Sequence, residues 1–255
     1  MSPARISVVA ALTLFGGACR SGPPPAIDPA LARLLPPEAT ILAGVNLQHL
    51  RASPLLPQLP PSVSSLLDSL AGAQSVLMAS DGARYLVLTR GAAPPGAASL
   101  GRKLAGMGSA DWLRAAASAH GDGGNALLPP AESIAASADI WIAAAGSANL
   151  PVSGNGDNLN HLLHATQYAT LSVRLGDRVA LEAIGTCSAD EPARRLEETV
   201  RAFVGMGAGA TARQPALSAL LRRVRVTRHG RGVHVTLVIE AGELTAVLKL
   251  FGVGS

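Results

Sequence analysis

The sequence predicts an α+β fold made of two β-α-β-β-like lobes, with antiparallel sheets packed against helices. Three observations carry that prediction. Leu171, Val173 and Leu175, then Val179, Leu181 and Ala183, alternate with period two, which marks strands with one buried face. Asp81-Gly82 and Gly176-Asp177 separate such apolar runs and supply the chemistry of hairpin turns. The order strand, helix, hairpin then occurs twice, about 100 residues apart, the mark of a duplicated unit. The chain divides accordingly into a first lobe over 34–130 and a second over 131–255.

Ahead of the lobes, residues 1–18 read as a signal peptide. Arg5 is the only charge, Ile6 to Phe15 form an apolar run, and Gly16-Gly17-Ala18 precede Cys19. A positive start, a short apolar middle and small residues at the cut are the parts of a secretory leader. A cysteine immediately after them fits a bacterial lipoprotein signal, whose thiol takes a diacylglyceryl group and becomes the acylated mature N-terminus. Gly16 stands where such signals carry Leu or another aliphatic residue, so ordinary secretion with cleavage after Ala18 stays open. The run is shorter than the roughly 20 residues of a membrane-spanning helix. Residues 19–33 hold Pro23, Pro24, Pro25 and Pro29 and read as a Pro-rich, semi-rigid tether.

The first lobe starts at Leu34. Pro36-Pro37-Glu38 ends the approach and Ala39 to Asn46 reads as a buried strand. Val63, Leu66, Leu67 and Leu70 have helical spacing. Pro54, Pro57, Pro60 and Pro61 divide the segment before them, predicting a short turn of helix ahead of the main one. Ser75 to Arg90 reads as a hairpin.

The second lobe repeats the order, with a strand at Asp139 to Ala145, a helix at Asn158 to Thr166 and a hairpin at Tyr168 to Gly185. The two alternating faces match only if Leu175 opposes Val179, leaving Gly176, Asp177 and Arg178 as the connection. Ser188 and Glu191 have the spacing of a capping box, and Pro192 is tolerated in a first turn. Ala193, Leu196, Val200 and Phe203 form one helical stripe, and Gly205, Gly207 and Gly209 predict its end. Leu217, Leu220 and Leu221 lead into a third hairpin turning at His229-Gly230-Arg231-Gly232. Leu244, Val247, Leu248 and Phe251 predict a closing helix.

The opening LLPPEATILAGVNLQHLRASPL, Leu34 to Leu55, together with the leader and the two-lobed order, resembles a group of uncharacterised exported bacterial proteins, often lipoproteins. The resemblance implies export and an α+β fold and names no active residue.

Composition narrows the function. The chain is 48% apolar and 3% aromatic, so Leu, Val and Ala build the core, with little left to stack on sugars or bases. A net charge of +4 over 255 residues is too modest for a dedicated nucleic-acid binder. With Cys19 acylated, Cys187 stands alone and no internal disulfide forms.

Chemical motifs are few. His161 and His164 lie three apart on the predicted helix, one turn beyond Asp157, weak metal candidates without a third ligand in sight. Cys187, just before a helix N-terminus, is a candidate low-pKa thiol or a buried small residue. Gly205 to Ala210 spells GxGxxA but lacks the preceding strand of a dinucleotide site. No GxSxG is present. Arg222, Arg223, Arg225, Arg228 and Arg231 form a candidate contact for anionic headgroups or an acidic partner, or a charged stripe that protects a sheet edge.

The reading is therefore a non-catalytic envelope lipoprotein. A lipid on Cys19 tethers it to a membrane, at the periplasmic face or the outer membrane, and it acts on an envelope protein partner without cofactor, metal or nucleic acid. Ordinary secretion as a soluble protein is the alternative location. A carrier of an apolar or lipid ligand, and a hydrolase or metal enzyme assembled only in the fold, are the alternative functions.

Overall fold

The computed structural model describes residues 27–59, 61–118, 124–150, 156–211 and 213–250. The leader, Cys19 and Phe251 lie outside these residues.

The first unit holds α1 (Pro29–Ala32), β1 (Ile41–Val45), α2 (Leu47–Ala52), a 3-10 turn (Leu56–Gln58), α3 (Pro61–Ser69), β2 (Ala73–Ser80), β3 (Tyr85–Gly91), β4 (Ala98–Gly101), β5 (Leu104–Gly108), α4 (Ala110–Ser118) and α5 (Leu128–Ala135). The second holds β6 (Ile140–Ala145), α6 (Gly156–His164), β7 (Tyr168–Leu175), β8 (Arg178–Thr186), α7 (Asp190–Ala210), α8 (Pro215–Arg223), β9 (Arg225–His229), β10 (Gly232–Glu240) and α9 (Ala241–Leu250).

Helices and an antiparallel sheet make this an α+β protein. The two units share one ten-stranded sheet, in the order β4-β5-β3-β2-β1-β6-β7-β8-β10-β9. Read outward from the β1–β6 junction, strands one, two, three, five and four of the first unit match strands six, seven, eight, ten and nine of the second. The duplication predicted from sequence is thus visible in topology, and each repeat has five strands. β1 and β6 are nearly continuous apolar runs, ILAGV and IWIAAA, suited to a central place with both faces covered. They pair antiparallel, Gly44 opposite Trp141. A Cβ on Gly44 would lie 2.3 Å from the Trp141 ring, so glycine here makes room for the indole.

Further ties cross between the units. The Ser53 hydroxyl donates to the Leu175 carbonyl at 2.7 Å, and the His49 ring lies 3.3 Å from the Asp139 carboxylate.

On one sheet face, α1, α4 and α5 cover Leu42, Leu77, Leu86, Leu88 and Trp141. Residues 27–33, read from sequence as part of the tether, belong to this fold. Asp28 caps α1, pairs with Arg90, and Leu31 is buried in the core. The prolines that signal a spacer also include a favourable first-turn proline, Pro29.

Residues 91–138 carry no assignment from sequence, and they hold β4, β5, α4 and α5. The β4–β5 turn is made by Arg102 and Lys103, both at positive φ. Such turns ordinarily carry Asn or Gly, so the usual signal was absent. Asn125, buried, donates to the Pro36 and Ala39 carbonyls and accepts from the Leu127 amide, clasping the chain ahead of β1 to the start of α5.

The β7–β8 register has Leu175 opposite Val179, as the alternation required. Two details of the next helix differ from expectation. α7 starts at Asp190 after Ala189, with no side-chain cap. The chain stays extended past β8, where the Cys187 amide donates to the Arg231 carbonyl, and this carries Ser188 out of capping position. Glu191 turns to Arg194 and Arg195 instead. At its far end, α7 continues through Gly205, Gly207 and Gly209 to Ala210. Gly207 faces α8, and a Cβ there would lie 3.3 Å from Leu221. Close helix packing outweighs the weak helix propensity of glycine.

Candidate functional site

The second sheet face carries a cavity of about 380 Å³. Its origin is legible in the side chains. Ala144, Ala169, Ala183 and Gly185 are the low points of a floor that also holds Ile142, Leu171, Val233 and Val235, while Leu159, Leu162 and Leu163 of α6 and Leu196 and Val200 of α7 form its roof. Small residues below and leucines above leave a gap, because the helix backbones cannot come closer than their own side chains allow. A Cβ on Gly185 would lie 3.0 Å from Thr166 and 3.1 Å from Leu196, so the floor is lowest where the roof descends most. Leu159 is 46% exposed and also lines the cavity, so the space reaches solvent beside α6. A space of this size and apolar character suits a small hydrophobic ligand.

A larger cleft, about 850 Å³, opens at the end of β1 and β2. Several of its polar groups already have partners. Asp28 pairs with Arg90, His49 approaches Asp139 at 3.3 Å, and Asn46 accepts from the His49 amide. Those bonds hold α1 and α2 in place.

The residues singled out from sequence do not converge. His161 and His164 both sit exposed on α6, and the His164 ring donates to the Ala148 carbonyl at 3.1 Å. Among the described residues no group of three His, Cys, Asp or Glu side chains is placed to hold a metal ion. Cys187 is fully buried, its thiol directed at the Ala165 carbonyl at 3.5 Å. Burial pushes that thiol up from its ordinary pKa, so helix proximity does not activate it.

The arginine cluster is split among three elements. Arg222 and Arg223 end α8, Arg225 and Arg228 lie on β9, and Arg231 lies in the following turn. They do not make the single strand stripe read from sequence, because α8 persists through Arg223. Arg223 pairs with Glu243 at 2.8 Å, Arg228 with Glu197 at 3.3 Å, and Arg231 donates to the Ser188 carbonyl. Arg222 and Arg225 are exposed and have no ion-pair partner among the described residues. Alternation along β9 turns Arg225 to the face opposite Arg228.

Along α7, the Arg194 guanidinium, with Arg195 beside it, holds the Glu191 carboxyl at about 2. Arg194 also reaches Glu198 at 2.7 Å. This network lies on the outer side of the helix that roofs the cavity.

Fold and cavity together define an α+β protein with a duplicated five-stranded unit and an apolar space under two helices of the second unit. No protein-family model matches the chain, and no curated protein matches it. Among solved structures, the chain is similar to TP0453 in its crystal form I, at 12% identity and a TM-score of 0.45, over 88% of this chain and 98% of that one. That likeness is too distant to carry an argument about function.

The cavity was missed in sequence because it depends on what lies above the strands. One signal was present. Inward positions at the α6–α7 end of β7 and β8 are Ala169, Leu171, Ala183 and Gly185, three of the four small, whereas those at the other end are Val173, Leu175, Val179 and Leu181, all large.

Proposed function

We propose that this protein is a non-catalytic carrier of an apolar ligand, tethered in the cell envelope through an acylated Cys19. The cavity of about 380 Å³ under α6 and α7 is the observation that carries the reading. Filling it with a ligand recovers contacts that the small floor residues leave unmade. No helix among the described residues is long and apolar enough to cross a membrane, which leaves the lipid as the proposed anchor. The other expectation, a module for an envelope protein, would use the sheet face that exposes Met78 and Tyr85. The cavity is the better defined of the two features.

Two measurements test the proposal. Native mass spectrometry of protein expressed with its own leader should show a co-purified apolar molecule, or uptake of N-phenyl-1-naphthylamine with a fluorescence rise. Protein that arrives empty and leaves the probe dark refutes the carrier. The intact mass of the mature N-terminal peptide tests the tether, and an unmodified peptide starting beyond Cys19 refutes it.

A further inference from the structure

A second depression, about 290 Å³, lies outside the cavity in the seam between α6 and α7. Leu162 and Leu196 line both spaces, so the chamber and a shallow, mostly apolar mouth adjoin at that pair. The mouth is framed by His161 of α6 and Arg195 of α7. Arg195 touches the Glu191 carboxylate only through Nε, at 3.1 Å, and Arg194 already holds both oxygens of that carboxylate. Both terminal nitrogens of Arg195 are therefore unengaged among the described residues, and the side chain is 73% exposed. The His161 ring, also exposed, offers a second donor from across the seam.

Building on the carrier reading, we propose that the ligand is a single-chain anionic amphiphile. Its acyl chain occupies the cavity, and its head lies in the α6–α7 seam against Arg195, with His161 as a second donor. Size fits this class. At about 30 Å³ for each water-sized group, the chamber holds about a dozen methylenes, one chain of medium length. In this proposal the chain enters between Leu162 and Leu196, where the two spaces adjoin. A carboxylate or phosphate head both suit the planar, multi-donor guanidinium.

The test is displacement of N-phenyl-1-naphthylamine from the full-length protein by three twelve-carbon amphiphiles: dodecanoate, dodecyl phosphate and dodecyltrimethylammonium. The two anions should displace the probe at about tenfold lower concentration than the cation, the worth of one charged hydrogen bond. The tighter anion assigns the head as carboxylate or phosphate. Arg195→Gln should remove the preference and leave probe binding intact, whereas Arg195→Lys should keep part of it. Equal displacement by all three, unchanged in Arg195→Gln, overturns the anionic head while the carrier stands. A probe that fails to bind wild type, or binds Ala183→Leu as well as wild type, overturns the carrier itself.

Discussion

The two ends of one sheet face make the instructive comparison. At one end, Val173, Leu175, Val179, Leu181, Leu237 and Ile239 rise from the strands to meet Leu47, Leu50, Leu67, Leu220, Leu244 and Val247 from α2, α3, α8 and α9. Large meets large and the layer closes. At the other end, on the same strands β7 and β8, the floor falls to Ala169, Ala183 and Gly185 around a single large residue, Leu171, beneath α6 and α7, and a chamber remains. Both ends are apolar and both are roofed by helices. What separates them is side-chain volume at a few alternating positions, which shows how a sheet can hold a fold at one end and keep a space at the other.

The sharpest way to break this comparison is truncation. Leu220→Ala at the closed end should cost about 3 kcal/mol, since a buried leucine there leaves a fresh void. Leu196→Ala, beside space that already exists, should cost less, about 2 kcal/mol. Denaturant unfolding at constant m reads both, and equal losses would erase the distinction. Enlargement tests the same contrast from the other side. Ala73 is buried in the closed end, and Ala73→Leu should cost about 2 kcal/mol through overpacking. Ala183→Leu projects into the chamber and should change stability by less than about 1 kcal/mol, with probe uptake lost. A large destabilisation by Ala183→Leu would mean that the space is not available to a side chain.

The smallest expected effect concerns pH at the roof. Glu191 is held at about 2, below its ordinary 4.5, first by Arg194 and then by Arg195. A depressed carboxylate adds stability above its unfolded value and loses it as pH falls through the folded one. The Tm gap between wild type and Glu191→Gln should be present at neutral pH, narrow from 4.5 downward and close near 2. The pair is solvent-exposed, so the gap should be small and shrink further in high salt. A gap that persists below 2 would show that Glu191 acts through something other than its charge.

Much of the architecture was readable because it rests on local rules. Alternation set the strands and fixed Leu175 opposite Val179, and prolines divided α2 from α3. Reading failed where a local signal was missing or a distant partner overruled it. Arg102 and Lys103 hold the central positions of a hairpin turn that ordinarily take Asn or Gly, with Gly101 only beside them. Gly205, Gly207 and Gly209 continue a helix because α8 packs beside it. Ser188 is drawn out of capping position by pairing with the chain at Arg231.

The sequence alone determined the α+β class, the duplicated order and the composition of both sheet faces, since periodicity and turn chemistry act over a few residues at a time. Tertiary structure alone decided that the units join through β1 and β6, that the five arginines part company, that Cys187 is buried, and that a chamber lies under α6 and α7. Each of these depends on the distance between residues far apart in the chain. Packing of whole elements sets such distances, and no short stretch of sequence contains them.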